Sequence, residues 1–298
     1  MHKTTPKLTT IFDLDIAERR GYKAELIGQA MKLGGMYRAF KATDTEGAQY
    51  EVRIGGGKER APGVHASELS PCKRKIVYSI QGEERKQDAE VADSNMQMRF
   101  NVGHALHAML QNDMKRMCAT TMNTSARIMF KDEVPIHPGI GELAKKWNMH
   151  SSCDGLFSYF DEEGFPYLRV GLEIKTMSAG EFEKLMKPKE EHYEQTNFYM
   201  AALDVPLMWV LYYNKSNSNF VDSSPPHLFQ FDADLWSRTE AKLDEAYKAA
   251  GTEELLPRVE GQHCRWCPFA WACQPATLKS VGGLNSVAHK PNAIRVPT

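Results

Sequence analysis

The chain has 298 residues, a formal net charge of −1 from 37 basic and 38 acidic side chains, and a hydrophobic content of 42%. This is the composition of an ordinary globular protein that can bury a substantial core, in one large or two small domains. It excludes a basic global field, so a polyanion would have to be bound by local patches. No N-terminal apolar run suits a signal peptide, and Asp204 and Pro206 interrupt the most apolar stretch, so we expect a cytoplasmic protein without a membrane span.

Residues 1–65 are predicted to form an N-terminal extension of mixed helix and strand. A helix around 16–40 precedes an alternating stretch, "AQYEVRI", and a loop, "GGGKERAPG". The loop does not match a phosphate-binding P-loop, because Val52 stands where a glycine is required and Glu59 where Ser or Thr is required.

The next two segments are predicted to be helices. Ser67 is a plausible cap for a helix that carries Cys72 near its first turns. Apolar residues at helical spacing predict a second helix over 96–117, with Phe100 and His107 on one face.

The rest of the chain alternates strand and helix. "SSCDGLFSYF" and "YLRVGLEIKTM" flank the turn-rich "DEEGFP" and predict an antiparallel hairpin. A helix in "EHYEQTNFYMAAL", a buried strand in "LMWVLYY" and an amphipathic helix capped by Asp232 or Asp234 follow. This order indicates a mixed α/β domain with additional helical segments at both ends, and residues 276–298 are predicted to be a tail.

The hairpin carries two carboxylates that can meet. In "GLEIKT" the period of two puts Glu173 and Lys175 on one face of the strand, and pairing through the turn near Gly164 can bring Asp154 beside Glu173. Two adjacent carboxylates repel unless a cation lies between them, and such oxygen ligands suit magnesium or manganese. The alternative for an isolated E-x-K is an exposed ion pair on a strand surface.

Two helices carry further polar candidates. His107 lies on the apolar face of its helix, where a histidine is more often a hydrogen-bonded core residue than a ligand. His192, Gln195 and Tyr199 are spaced by three and four and share one helix face. This face suits contact with a polar substrate such as a phosphate backbone, and a solvent-facing stripe is the alternative.

Three of the six cysteines lie within ten positions. Cys264, Cys267 and Cys273 are spaced C-x2-C-x5-C in "CRWCPFAWAC". In a reducing compartment such clustered thiols more often bind metal than form disulfides. Cys118 and Cys153 are interpreted as buried thiols, the latter turned to the core by strand alternation.

The motifs, taken together and in this order, resemble the PD-(D/E)XK nuclease superfamily, in particular its RecB-type branch. That branch is marked by G-x-x-x-H, an Asp at the start of a strand, E-x-K, and Q-x-x-x-Y on the next helix. The matching segments are "GHALH" at 103–107, "CDG" at 153–155, "EIK" at 173–175 and "QTNFY" at 195–199. Each motif alone is weak, whereas four in register form a strong signal.

The resemblance extends to the cysteines. A subset of this branch, similar to the AddB nuclease domain and the CRISPR-adaptation nuclease, holds an iron–sulfur cluster through one cysteine before the nuclease motifs and a C-x2-C-x5-C triple after them. The resemblance therefore implies a 4Fe–4S cluster bound by Cys72, Cys264, Cys267 and Cys273. Tetrahedral zinc is the alternative, although zinc ribbons usually bring their cysteines as two close pairs. Trp266, Phe269 and Trp271 would shield the site from water.

The implied fold is α/β: a restriction-endonuclease-like central mixed sheet flanked by helices, with N- and C-terminal helical segments joined by the cluster. The nuclease domain would span residues 66–275.

The resemblance also implies the roles of the site residues. His107, Asp154, Glu173 and the backbone carbonyl of Ile174 would bind the catalytic manganese or magnesium ion, and an imidazole ligand favours manganese. Lys175 would orient the attacking water and offset charge on the phosphate.

Substrate contacts are expected from two further segments. Gln195 and Tyr199 would position the DNA backbone or brace Lys175. The basic stretch "CKRKIVY", with its aromatic Tyr78, suits a channel for single-stranded DNA.

The implied activity is that of a metal-dependent DNA exonuclease. It would hydrolyse phosphodiester bonds of single-stranded DNA or duplex ends, in recombination, repair or phage DNA metabolism of a prokaryotic cell or phage-infected host. Two alternatives remain: a DNA-end binding subunit of a recombination or CRISPR-adaptation complex with little activity alone, and an iron–sulfur redox sensor. DNA is the expected partner, together with proteins of such complexes, and the sequence leaves self-association open.

Overall fold

The computed structural model describes most of the chain between residues 24 and 273. The ranges are 24–44, 60–69, 72–86, 94–121, 127–185, 188–216, 219–220, 227–252, 255–261, 263–264 and 267–273. The predicted stretch "AQYEVRI", most of the glycine-rich loop, Trp266 and the tail at 276–298 lie outside these ranges.

The described residues fall into two compact units, each assembled from separate stretches of the chain. The first takes its residues from Met1–Gly56, Asn101–Ile136 and Ser152–Leu235, and the second from Gly57–Phe100, His137–Ser151 and Trp236–Thr298. The predicted domain limits at residues 65 and 275 stay a prediction.

The regular elements are numbered in chain order. The helices are α1 (Ala24–Thr43), α2 (Lys73–Gln81), α3 (Ser94–Thr121), α4 (Glu142–Lys146), α5 (Ala179–Phe182), α6 (Glu190–Leu203), α7 (Ala233–Ala250) and α8 (Ala270–Cys273). The strands are β1 (Arg127–Ile136), β2 (Ser151–Phe160), β3 (Pro166–Met177), β4 (Leu207–Asn214), β5 (Asn219–Phe220) and β6 (His227–Gln230). A short 3-10 helix spans Ala66–Glu68.

A mixed sheet of six strands organises the first unit. Its order is β1-β2-β3-β4-β5, and β6 also pairs with β4. The β2–β3 pair is antiparallel and the β3–β4 pair is parallel, so helical material connects β3 to β4. Every residue of β4 is buried, as the apolar run predicted for a central strand. The α/β class with a mixed sheet and flanking helices is confirmed.

The predicted hairpin is confirmed as β2 and β3. Gly164 has a φ of 89°, which glycine adopts without the steric cost of a side chain, and Asp161 Oδ1 accepts the N–H of Phe165 at 2.7 Å. Gly155 pairs with Leu172, so the same register carried one residue further sets Asp154 opposite Glu173.

Helices α1 and α3 contribute to the core of the first unit. Ile27 and Leu33 of α1 join Leu110 and Met114 of α3 in one cluster with apolar residues of β2, β3 and β4. The predicted helix at 96–117 is confirmed and extends further at both ends, but its apolar face is buried only in part, since Phe100 is 51% exposed.

Two predicted helix starts are now specified. Of the two candidate caps for α7, Asp232 is the one used, because its Oδ1 accepts the N–H of Leu235 at 2.9 Å. The prediction for Ser67 is wrong: Ser67 lies inside the 3-10 helix, and Cys72 is the N-cap residue of α2.

Strand β1 and helix α4 were not predicted from the sequence. Exposed and shielded positions alternate along the whole of β1, but its charged central residues weaken the apolar alternation in the sequence. No helix of the described chain is long and apolar enough to cross a membrane.

Gly155 supplies a test of the sheet packing. An added Cβ would lie 2.3 Å from the ring of Phe130, which itself packs on Phe157, so Gly155→Ala should lower the free energy of unfolding by about 1–3 kcal/mol. Gly35→Ala is the matched control, because nothing lies within 4 Å of its added Cβ in helix α1. The control should stabilise by about 0.5–1 kcal/mol. Equal melting temperatures of the two variants would contradict this packing.

Candidate functional site

Asp154 is fixed by the hairpin itself. Its Oδ2 accepts the backbone N–H of Ile174 at 2.6 Å, which ties the end of β2 to β3. Its backbone carbonyl accepts a hydrogen bond from Gln111 Nε2 at 2.9 Å. The carboxylate is therefore oriented by groups on two different elements.

His107 reaches the same carboxylate from helix α3. Its Nδ1 lies 3.4 Å from Asp154 Oδ1. Burial alone would lower the pKa of the imidazole, but the hydrogen bond to Asp154 and the charges of Asp154 and Glu173 outweigh burial and raise it. His107 is thus more than a core histidine, because it faces the carboxylates.

Glu173 is the most constrained group of the site. It is 4% exposed, and its Oε1 accepts a hydrogen bond from Lys175 Nζ at 2.7 Å. Its Oε2 is buried and has no hydrogen-bond partner in the described chain. Burial and the nearby Asp154 raise the pKa of Glu173 to about 7, although Lys175 opposes the shift. The alternative of an exposed surface ion pair is therefore wrong.

Lys175 connects the strand to helix α6. Its Nζ donates to Gln195 Oε1 at 2.7 Å, and Gln195 Nε2 donates to the hydroxyl of Tyr199 at 3.0 Å. Gln195 is 9% and Tyr199 is 4% exposed, so this face of α6 is not a solvent-facing stripe. In this arrangement the pair braces Lys175.

The structure thus brings six of the predicted residues together in the first unit. They are His107, Asp154, Glu173, Lys175, Gln195 and Tyr199. The side chain of Ile174 is buried at 1% exposure, so only its backbone could serve a cation.

Gln111 and Glu133 were not found from the sequence. Gln111 Nε2 donates to Glu133 Oε1 at 2.8 Å as well as to the carbonyl of Asp154. Gln111 follows His107 by four residues and so shares its helix face, which was the available signal. No comparable signal in the sequence indicated Glu133, because the position of its side chain depends on a φ of 45° in β1.

The carboxylates of Asp154 and Glu173 are chemically suitable ligands for a divalent cation, but the candidate ligands do not lie close enough together to bind one. In the described chain no group of three or more His, Cys, Asp or Glu side chains is gathered closely enough to hold a metal ion. The unpartnered Oε2 of Glu173 beside a second carboxylate is nevertheless the environment that a cation stabilises. Binding would require His107, Asp154 and Glu173 to converge.

The second unit contains the cysteine site. Cys72, Cys264, Cys267 and Cys273 line one cavity, together with Arg74, Tyr78 and Phe269 among others. None of the cysteines of the described chain forms a disulfide, and no three of them are gathered closely enough to hold a metal ion. Cys72 precedes α2, and successive turns link the triple, with Cys267 N–H donating to the carbonyl of Cys264 at 3.2 Å.

The surroundings of these thiols are partly apolar and partly cationic. Burial raises the pKa of Cys267 and Cys273. At Cys273 the Arg74 guanidinium opposes this shift, because its Nη1 lies 3.8 Å from the Cys273 Sγ. Phe269 is fully buried and lines the cavity, as predicted for a shielding aromatic. Trp271 instead donates from Nε1 to the carbonyl of Glu84 at 2.9 Å.

Three side chains of the stretch "CKRKIVY" make contacts within the protein, and its role in a DNA channel stays a prediction. Lys73 pairs with Glu245, and Arg74 Nε donates to the carbonyl of Leu256 at 2.7 Å. Tyr78 is 5% exposed and packs on Phe269 at 5.6 Å between ring centroids, so it cannot stack on a base.

The remaining two cysteines are buried as predicted. Cys118 is 3% exposed, and Cys153 is fully buried, with its thiol within 3.3 Å of the carbonyls of Gly155 and Leu172. Burial raises the pKa of both thiols, which keeps them protonated.

Comparison with known proteins gives only distant similarities. No protein-family model and no curated protein sequence matches the chain. Among solved structures, SSO0001 is 13% identical with a TM-score of 0.40, covering 79% of this chain and 93% of that one. The alkaline exonuclease LHK-Exo from Laribacter hongkongensis is 14% identical with a TM-score of 0.36, covering 64% and 89%. Its complex with dAMP gives a TM-score of 0.35. Function is therefore argued from the side chains of the site.

The shifted pKa of Glu173 predicts a pH-dependent stability of metal-free protein. Because the folded-state pKa of about 7 exceeds the ordinary 4.5, the native carboxyl keeps a proton that the unfolded chain releases. Stability should therefore fall as pH rises through this window, by at most about 3 kcal/mol at about 1.4 kcal/mol per pKa unit. Glu173→Gln lacks this titration, so its melting temperature relative to wild type should rise between about pH 5 and about pH 8. A constant difference across that range would show an unperturbed carboxyl.

Proposed function

We propose that this protein is a divalent-metal-dependent deoxyribonuclease of the PD-(D/E)XK type. The observation that carries the proposal is the buried, unpartnered Glu173 Oε2, held beside Asp154 on the neighbouring strand and beside Lys175. Burying one carboxylate near another is unfavourable unless a cation compensates it. A purely structural hairpin has no need for such an arrangement.

His107, Asp154 and Glu173 are the side chains that would hold manganese or magnesium, with the backbone carbonyl of Ile174 as a further ligand. When bound, the cation would lower the pKa of a coordinated water and act as a Lewis acid on the phosphate. The chain's own groups prepare this site: the Ile174 N–H orients Asp154, and Gln111 holds the backbone of β2 in place.

Lys175 is the cationic group of the proposed reaction. Its Nζ is shared between Glu173 Oε1 and Gln195 Oε1, both at 2.7 Å, which fixes the ammonium group beside the carboxylates. From there it can orient the attacking water and offset negative charge on the phosphoryl oxygens. Gln195 is itself held by Tyr199, so both act as positioning residues in this arrangement.

The proposed substrate is DNA, in single strands or at duplex ends, and the proposed mode is exonucleolytic. The alternative is a DNA-end binding subunit that becomes active only in a recombination or CRISPR-adaptation complex. The candidate ligands His107, Asp154 and Glu173 are not gathered closely enough to hold a metal ion. This spacing supports the alternative, because a protein partner or the substrate could bring the three side chains together.

The nuclease proposal predicts the effect of removing each charged group. Glu173→Ala and Lys175→Ala should each lower manganese-dependent degradation of linear DNA at least about a hundredfold, because they remove a cation ligand and a charge-stabilising group. Release of acid-soluble nucleotides measures the activity.

Lys115→Ala is the control for that experiment. Lys115 forms an exposed ion pair with Asp132 at 2.6 Å in the same unit, so its loss should leave activity unchanged. Wild-type rates in both site variants would disprove the assignment. Activity that appears only after a protein partner is added would favour the subunit alternative.

We further propose that Cys72, Cys264, Cys267 and Cys273 bind a 4Fe–4S cluster with a structural role. Their shared position on one cavity, without a disulfide, and the fully buried Phe269 support a thiolate-ligated group. Zinc is the competing occupant of four thiolates. Cys72 and the triple both belong to the second unit, so the group would cross-link residues far apart in sequence.

The cluster proposal predicts iron, sulfide and a brown colour in anaerobically purified protein. Cys72→Ala and Cys267→Ala should lose the iron and the broad visible absorption, and they should melt at lower temperature. Cys118→Ala is the matched control, because the buried thiol of Cys118 lies in the first unit. The Cys118→Ala variant should keep the iron. A colourless wild-type protein containing zinc would contradict the cluster.

A further inference from the structure

His192 is a buried histidine that the proposed reaction does not use. It lies on helix α6, one turn before Gln195, and its Nδ1 is 2.9 Å from the hydroxyl of Tyr212 on β4. The two rings are 5.6 Å apart between centroids. The side chain is 12% exposed, so one edge of the ring still reaches solvent.

The strand register places this pair next to the proposed catalytic lysine. Tyr212 of β4 is the direct neighbour of Lys175 in the parallel β3–β4 pairing, so both side chains leave the sheet on the same side. Gln195 covers Lys175, and His192, three residues earlier on the same helix face, covers Tyr212. His192 and Lys175 therefore lie on the same face of the sheet, one strand apart.

The hydrogen bonds of Tyr212 determine which ring nitrogen of His192 carries the proton. The hydroxyl of Tyr212 also forms a hydrogen bond with the backbone of Lys189. With the Lys189 N–H donating to it, the hydroxyl has its own proton free to donate to Nδ1. Burial, Lys175 and Lys189 lower the pKa of His192 to about 3, so the ring is neutral near pH 7 and its single proton belongs on Nε2.

Among the described residues, the only acceptor found near the Nε2–H group is a distant one. Glu191 Oε1 lies 3.8 Å away, beyond hydrogen-bonding distance, on a side chain that is 71% exposed. Glu191 can move into solvent at little cost, which leaves an oriented donor on a partly exposed ring.

We propose that His192 Nε2–H donates a hydrogen bond to a non-bridging phosphate oxygen of the bound DNA strand, next to the phosphate that Lys175 serves. The inference rests on the proposed nuclease function and adds a substrate-binding residue to it. A neutral donor with a fixed tautomer fits a phosphate oxygen, because it gives one directed bond to a charged acceptor, and the exposed Glu191 side chain can turn away from it. The role of Tyr212 is to position the ring.

Two substitutions separate the donor from the packing. Glutamine at position 192 can place an amide N–H near the location of Nε2, whereas the shorter asparagine can bond Tyr212 only. Loss of a hydrogen bond to a charged group costs about 1.5–3 kcal/mol when fully buried. At this partly exposed edge we expect His192→Asn to weaken binding about tenfold, and His192→Gln to stay within about threefold of wild type.

The measurement is fluorescence anisotropy of a labelled oligothymidine strand titrated with full-length protein in chelator, where no cleavage competes. With manganese present, His192→Asn should raise KM by the same factor and leave kcat nearly unchanged, since the contact exists in both ground and transition states. Histidine nitrogen spectra should show His192 as the neutral Nε2–H tautomer in wild type, and a Tyr212→Phe variant should lose this single tautomer.

The outcomes are distinguishable. Wild-type affinity in both His192→Asn and His192→Gln would overturn the inference and make His192 a structural histidine, with the nuclease proposal intact. An equal loss in both variants would assign the defect to packing and also reject the inference. A wild-type protein that neither binds nor cleaves DNA would refute the proposed function itself.

Discussion

The site depends on the antiparallel register of β2 and β3. That register sets Asp154 opposite Glu173, and the Ile174 N–H holds the Asp154 carboxylate in place at 2.6 Å. Glu173 is nearly excluded from water beside the partly exposed Asp154, which raises the free energy of the folded state, and Lys175 compensates only one oxygen of Glu173. A bound cation would relieve the repulsion between the two carboxylates and lower the free energy of the folded state.

Helix α6 links this charge arrangement to the proposed phosphate contact of His192. It passes over the parallel β3–β4 pair, so its polar face covers Lys175 through Gln195 and Tyr212 through His192. The same helix buries Phe198 and Met200, which anchor it. Its polar side chains are therefore positioned by packing, as the proposed binding of a phosphate beside Lys175 would require.

The cysteine site has a different physical basis. Its four thiols come from both ends of the described chain, yet they line one cavity in one unit, with Arg74 and Phe269 on its wall. Burial raises the pKa of the Cys267 and Cys273 thiols, so their thiolates are unfavourable unless a metal replaces the protons. Both proposed sites thus contain ligands whose ionised forms need a bound metal.

The sequence by itself determined the elements whose patterns are local. The hairpin, helix α6 and the buried strand β4 follow from alternation, helical spacing and turn residues, which act within a few positions. The order of His107, Asp154, Glu173 and Lys175 also indicated one site. Only the tertiary structure decided that Glu173 Oε2 lacks a partner, that Gln111 supports Asp154, and that His192 meets Tyr212. These facts depend on distances between elements remote in sequence, which burial and strand register set and no local pattern encodes.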